Sequence, residues 1–165
     1  MGSQVGRKAG WTRLPAALVV LLAGTGCGPA TVPGASVAPG RVSAMLVKAT
    51  DGDIEGLLRG ERIQCEREGD GKLKLTLSGK IARLYLLDDG GSLLLRAFFK
   101  GRVSLEKLNR WNENARLLKA YVARDGDLAM ESSLFLFGGV SRQAVPSFVR
   151  AFERDMLQLI GFLSE

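Results

Sequence analysis

From about residue 42 the chain alternates between two hydrophobic rhythms. In "TDGDIEGLLRG" (50–60), Ile54, Leu57 and Leu58 fall on one side of a helix that Thr50 or the following Asp can cap and Gly60 can stop. The rhythm then shortens to two: "KLKLTLSG" alternates strictly, with Leu73, Leu75 and Leu77 on one face. "ERIQCER" (61–67), "KIARLYLL" (80–87) and "SLLLRAFF" (92–99) complete a run of four predicted strands. Gly69–Gly71 and Asp88–Gly91 ("DDGG") supply the hairpin turns that make this run antiparallel.

The helical rhythm returns after Ser104, a good N-cap, with Glu106 favoured in the first turn by the helix dipole. Leu105, Leu108, Trp111 and Ala115 share one arc; Asn112 lies inside that arc, and Asn109 and Arg116 lie at its edge. "LLKAYVA" and "LAMESSLFLF" then flank Asp125-Gly126-Asp127 as a third hairpin, ended by Gly138-Gly139. Residues 141–165 form a long amphipathic helix with Ser141 as its cap; Val145, Phe148, Val149, Phe152, Met156, Leu159, Ile160 and Leu163 make its stripe. The order is α-ββββ-α-ββ-α. Without repeated βαβ units it predicts an α+β fold on an antiparallel sheet.

The first 27 residues follow another logic. Arg7, Lys8 and Arg13 precede an apolar run from Ala16 to Ala23, and Gly24, Thr25, Gly26 and Cys27 follow. That is the order of a secretory signal, and the run is too short to span a bilayer. The segment resembles a bacterial lipoprotein signal, which implies lipidation at Cys27; ordinary secretory cleavage nearby is the alternative. "GPATVPGASVAPGR" (28–41) is almost uncharged and rich in Pro, Gly and Ala, and reads as a tether. The organisation expected is a signal over 1–27, a tether over 28–42 and a folded domain over 43–165.

Composition removes several functions. The chain has 165 residues, a formal charge of +6 and no histidine. Histidine-based acid–base catalysis, Ser-His-Asp triads and histidine metal ligation are therefore excluded. From residue 28 onward twenty bases face seventeen acids without a dense basic run, so no nucleic-acid partner is expected. Cys27 and Cys65 form no CxxC pair, and the acidic turns lack calcium-loop spacing, so neither metal nor cofactor is expected. Cys65 reads as a small buried hydrophobe on the first strand.

The stretch 105–139 carries a family resemblance. An Asn-x-Trp-Asn helix (Asn109, Trp111, Asn112) with Arg116 soon after is followed by Ala120-Tyr121, an acidic Gly turn (Asp125–Asp127), Gly138-Gly139 and a Phe-bearing helix (Phe148, Phe152, Phe162). This pattern resembles the YbjN family of bacterial proteins linked to sensory transduction. The resemblance covers roughly 50–164. It implies a fold like that of type III secretion chaperones, which are dimers that bind extended protein segments. It carries over no catalytic residue, and cysteines common in the family between Leu84 and Arg96 are missing here.

Two sets of residues are candidates for partner binding. Trp111, Asn112 and Arg116 either form a groove for an extended peptide, or Asn112 ties its helix to neighbouring backbone while Trp111 fills the core with its indole N–H bonded. Strand alternation sends Leu84, Leu86, Leu95 and Val122 towards the helices. It leaves Arg83, Tyr85, Arg96, Lys119, Tyr121 and Glu131 on the other face, as a binding surface or a solvated one. The expectation is an exported, membrane-anchored, non-catalytic domain on the periplasmic side of the envelope that binds a protein partner, with a second copy of the chain a further candidate. Rival readings are a cytoplasmic regulator with an uncleaved N-terminus and an enzyme using Asp88/Asp89 or Asp125/Asp127.

Overall fold

The computed structural model describes residues 45–165; the signal, Cys27 and the tether lie outside the described residues. In chain order it contains β1 (Met45–Leu46), α1 (Asp51–Gly60), β2 (Gln64–Gly69), β3 (Lys72–Leu77), β4 (Lys80–Leu87), β5 (Ser92–Phe99), α2 (Leu105–Asn114), β6 (Lys119–Val122), β7 (Leu128–Phe135), β8 (Val140–Ser141) and α3 (Ala144–Ser164). The fold is α+β with the expected element order, to which β1 and β8 add a two-residue antiparallel pair. Two residues are too few to show an alternation, so the hydrophobic pattern could not announce them.

The other six strands form one antiparallel sheet in the order β2-β3-β4-β5-β7-β6. Helix α2 carries the chain past β5, so β6 becomes the edge and β7 returns between them. Register places Leu73, Leu84 and Leu95 in one row and Leu75, Ala82, Ala97, Met130 and Ala120 in the next. Ile54 and Leu58 of α1, Leu108 of α2 and Val145, Val149, Phe152, Met156 and Leu159 of α3 join these rows in one core. Each fully buried side chain of this size contributes about 1.5–3 kcal/mol. The three helices pack on one face of the sheet; no described element covers the other.

Three local expectations change. Strand β2 starts at Gln64 rather than Glu61, because Glu61, Arg62 and Ile63 donate their N–H groups back to Leu58 and Arg59, with Arg62 at φ 58°. Ser141 does not cap the last helix: it pairs with Met45, and α3 begins at Ala144 behind Gln143, which makes no side-chain cap. Leu105 is 66% exposed, since it stands at the solvent end of its helix, and only Leu108 of α2 is fully buried.

Helix α1 is held at its start by a capping box. The Asp53 N–H donates to Thr50 Oγ1 at 3.2 Å, and the Asp53 carboxylate accepts from the Thr50 N–H at 3.0 Å and its hydroxyl at 2.7 Å. These Thr50 bonds hold the Asp53 carboxyl below its ordinary range. A depressed carboxylate stabilises the fold above its unfolded pKa and loses that contribution as pH falls through the lower folded value. Thr50→Ala should therefore cost about 1 kcal/mol near neutral pH. The gap to the parent should narrow, without closing, in urea titrations at progressively acidic pH.

Candidate functional site

The six candidate residues do not meet at one place: Trp111, Asn112 and Arg116 lie with the helices, and Tyr85, Arg96 and Tyr121 lie on the opposite face of the sheet.

Asn112 takes the structural role. Its Nδ2 donates to the Ala120 carbonyl at 2.8 Å, and its Oδ1 accepts from the Ala120 N–H at 3.0 Å. Ala120 is buried on the edge strand β6, and these backbone groups point away from β7, where a further strand would pair. The side-chain amide mimics a peptide group and closes that edge. Asparagine suits the task because one planar group offers a donor and an acceptor side by side. Ser132 adds a second tie, donating to the Leu117 carbonyl at 2.9 Å.

Trp111 is half-buried and stacks on Phe162 of α3 at 5.8 Å with a 44° tilt. Its Nε1 is buried without a hydrogen-bond partner among the described residues, contrary to the expected bonded indole. Lys107 Nζ reaches the Leu163 carbonyl at 3.4 Å, placing a cation at the C-terminal end of α3 where the helix dipole favours it. Trp111, Arg116 and Leu117 border a cleft of about 480 Å³ between α2 and α3, closed by Arg154, Asp155 and Gln158. Asn112 faces away from this cleft, and Arg116 is exposed with no ion pair among the described residues.

The uncovered face of the sheet is the stronger candidate. Register lines up Glu66, Lys74, Arg83, Arg96, Glu131 and Lys119 in one row across all six strands. Lys74 meets Glu66 at 3.1 Å, Arg83 meets Glu68 at 2.9 Å and Arg96 meets Glu131 at 3.0 Å. Arg83 and Arg96 stand directly opposite each other, an unfavourable like-charge pair tolerated because each has its own acid. Arg83 and Lys72 hold the Glu68 carboxyl below its usual range, and burial, reinforced by Glu131, raises the Tyr121 phenol. Tyr121 donates its hydroxyl to Glu131 at 3.1 Å.

Apolar rows flank this ladder. Ile81, Phe98 and Tyr121 lie on one side, 41%, 47% and 36% exposed, with Ala129 between Phe98 and Tyr121. Tyr85 and Leu94 lie on the other side. Tyr85, Arg96 and Tyr121 were predicted for this face; Ile81, Leu94 and Phe98 were missed. The signal for them was present: a tight Asp88–Gly91 turn fixes the β4–β5 register and with it the partner of every residue.

The paired carboxylates serve turns. Asp88 accepts from the Ser92 hydroxyl and Asp89 pairs with Lys48 at 2.6 Å. Asp125 accepts from the Asp127 N–H, and Asp127 from the Gly101 N–H. The two pairs occupy opposite ends of the sheet. Cys65 is half-buried on β2, and burial pushes its thiol above the ordinary value. Among the described residues no cluster of His, Cys, Asp or Glu could hold a metal ion.

Residues 50–165 match the profile of the YbjN family, described as "Putative bacterial sensory transduction regulator". The chain belongs to the YbjN family. No curated protein sequence matches it. Its fold is similar to that of YbjN from E. coli, described as "a putative transcription regulator", at 21% identity and a TM-score of 0.59, covering 71% of this chain and 92% of that one. It is also similar to the type III secretion chaperone SycH of Yersinia pestis, solved in complex with a stable fragment of YscM2, at 12% identity and a TM-score of 0.51, covering 66% of this chain and 97% of that one. The expected YbjN family and chaperone-like fold are thus both found; at these identities the solved structures establish fold alone.

The Asn112 tie is directly testable. Asn112→Ala leaves the buried Ala120 N–H and carbonyl unpaired and should cost about 2–6 kcal/mol, from about 1–3 kcal/mol for each of the two orphaned groups. Asn112→Asp sets a carboxylate against the Ala120 carbonyl, so its folded-state pKa is raised. The variant should be as unstable as N112A at pH 7 and recover as pH falls and the carboxyl becomes a donor. Urea midpoints across pH check this; a pH-independent N112D deficit would refute the donor role.

Proposed function

We propose that this chain is an exported, lipid-anchored, non-catalytic member of the YbjN family that binds a protein partner on the open face of its sheet. The carrying observation is that face: five bases (Lys72, Lys74, Arg83, Arg96, Lys119) against three acids (Glu66, Glu68, Glu131), flanked by exposed apolar side chains. Aromatic and arginine side chains with apolar neighbours make good protein-binding anchors. The excess of bases at the centre favours a partner segment carrying both acidic and apolar residues. The complex that the chaperone SycH forms with a YscM2 fragment supports protein binding on such a fold.

Export and anchoring rest on the sequence: the signal over 1–27, Cys27 as lipidation site and the tether over 28–42. They put the domain on the periplasmic side of the envelope. Mass spectrometry of the mature N-terminus tests this part: a diacylglyceryl-modified Cys27 is expected, and an intact Met1 on a cytosolic product would sink it.

Two measurements test the binding face. Arg96→Ala with Phe98→Ala should weaken partner capture in membrane crosslinking by about tenfold or more. It should change stability little, because Phe98 is half-exposed and exposed ion pairs contribute about 0–1 kcal/mol. Undiminished capture would exclude the face. Asp88→Asn with Asp89→Asn, and Asp125→Asn with Asp127→Asn, should leave the cellular phenotype unchanged; loss of phenotype in a folded variant would restore the enzyme reading.

A further inference from the structure

A second exposed apolar surface stands at the end of the sheet where the tether joins the domain. Met45 and Val47 flank the buried Leu46, so both point outward at 59% and 55% exposure. Both lie over Gly139, where an added Cβ would come within 3.3 Å of Met45 and 3.6 Å of Val47. Phe135 and Phe137 likewise flank the buried Leu136 and point outward at 63% and 60% exposure. The Phe137 ring lies on Gly91, which has no room for a side chain. Leu87, 42% exposed, shares a cross-strand row with Ser92 and Phe135. Five large apolar side chains thus crown one tip, three of them (Met45, Val47 and Phe137) seated on two glycines; isolated exposed hydrophobes need no explanation, but a contiguous patch does.

The tip is firmly built. The Ala49 N–H donates to the Gly90 carbonyl and the Leu136 N–H to the Gly91 carbonyl, both at 2.9 Å. Its charged neighbours satisfy one another: Lys48 pairs with Asp89, and Asp88 accepts from Ser92. Among the described residues no basic cluster that would call for an acidic partner accompanies the patch.

We infer that this tip inserts into the lipid surface that holds Cys27, an inference that rests on the anchoring reading above. Residues 28–44 separate Cys27 from Met45. By composition a Pro/Gly-rich link of that length is expected to span about 20–25 Å, and such a link gives an effective concentration of millimolar order. A tip with weak intrinsic affinity therefore stays docked. Phenylalanine, methionine, valine and leucine suit shallow burial at the headgroup–acyl boundary. Docking there fixes which end of the domain meets the membrane and leaves the far end of the charged face turned towards the periplasm.

The test imposes the anchor chemically. The mature chain from Cys27 onward, carrying Cys65→Ser, is coupled through Cys27 to a maleimide-bearing lipid in phosphatidylethanolamine/phosphatidylglycerol vesicles, with and without acyl-brominated lipid. Phe137→Trp reports on the tip and Lys119→Trp on the charged row at the edge strand β6, where its partner Glu131 lies four residues before Phe135; Trp111 gives all proteins the same background. The emission added by F137W should shift to the blue and be lost to bromine, insensitive to salt, while that added by K119W should not. F137W emission quenched no more than that of K119W would overturn the inference. A blue shift without bromine quenching, with a doubled mass in sedimentation, would also overturn it by assigning the patch to a second copy. Because the lipid is attached chemically, these outcomes judge the tip whatever the cell does to Cys27, and the mass of the cellular N-terminus judges the anchor separately.

Discussion

The carboxamide of Asn112 meets the Ala120 backbone donor to acceptor and acceptor to donor, and much of the architecture hangs on that exchange. It pins α2 to the outermost strand and satisfies two buried peptide groups. It also occupies the edge where another chain could add a strand. With β6 so held, β7 sits between it and β5, and the six strands keep one register from Glu66 to Lys119. The two amides around the tryptophan are therefore unequal: Asn112 is a structural tie, and Asn109 is exposed.

Once the helices occupy one face of the sheet, the other is committed to a different chemistry. Period-two alternation places every second side chain there, and their charges fall into a row because each tight turn fixes the pairing of the next strand. The row organises the surface through short ion pairs rather than adding much stability. Its borders are apolar: Ile81 and Phe98 stand exposed beside it, and Tyr85 lies half-buried on the other side. The same alternation exposes Phe135 at the sheet's end, and Phe137 stands exposed just beyond it.

Much of this was legible along the chain. The strict alternation of Leu73, Leu75 and Leu77 and the acidic glycine turns gave the hairpins, and Thr50 gave the first cap. The YbjN-like pattern around Trp111 and Asn112 identified the family. Misses occurred where long-range contact overrode local preference. Ser141 looks like a cap but pairs with Met45. Trp111 was expected to bond its indole N–H; it stacks on Phe162, a residue far off in sequence, and that N–H has no partner among the described residues.

By itself the sequence determined the main helices and strands, the hairpins and the family, because these follow from periodicity, turn chemistry and a local motif. Tertiary structure alone decided the insertion of β7 between β5 and β6, the closing of the edge by Asn112, and the division of six candidate residues between two faces. Each depends on backbone groups or side chains that meet only after α2 crosses the sheet, and no pattern read along one strand or helix can register such a meeting.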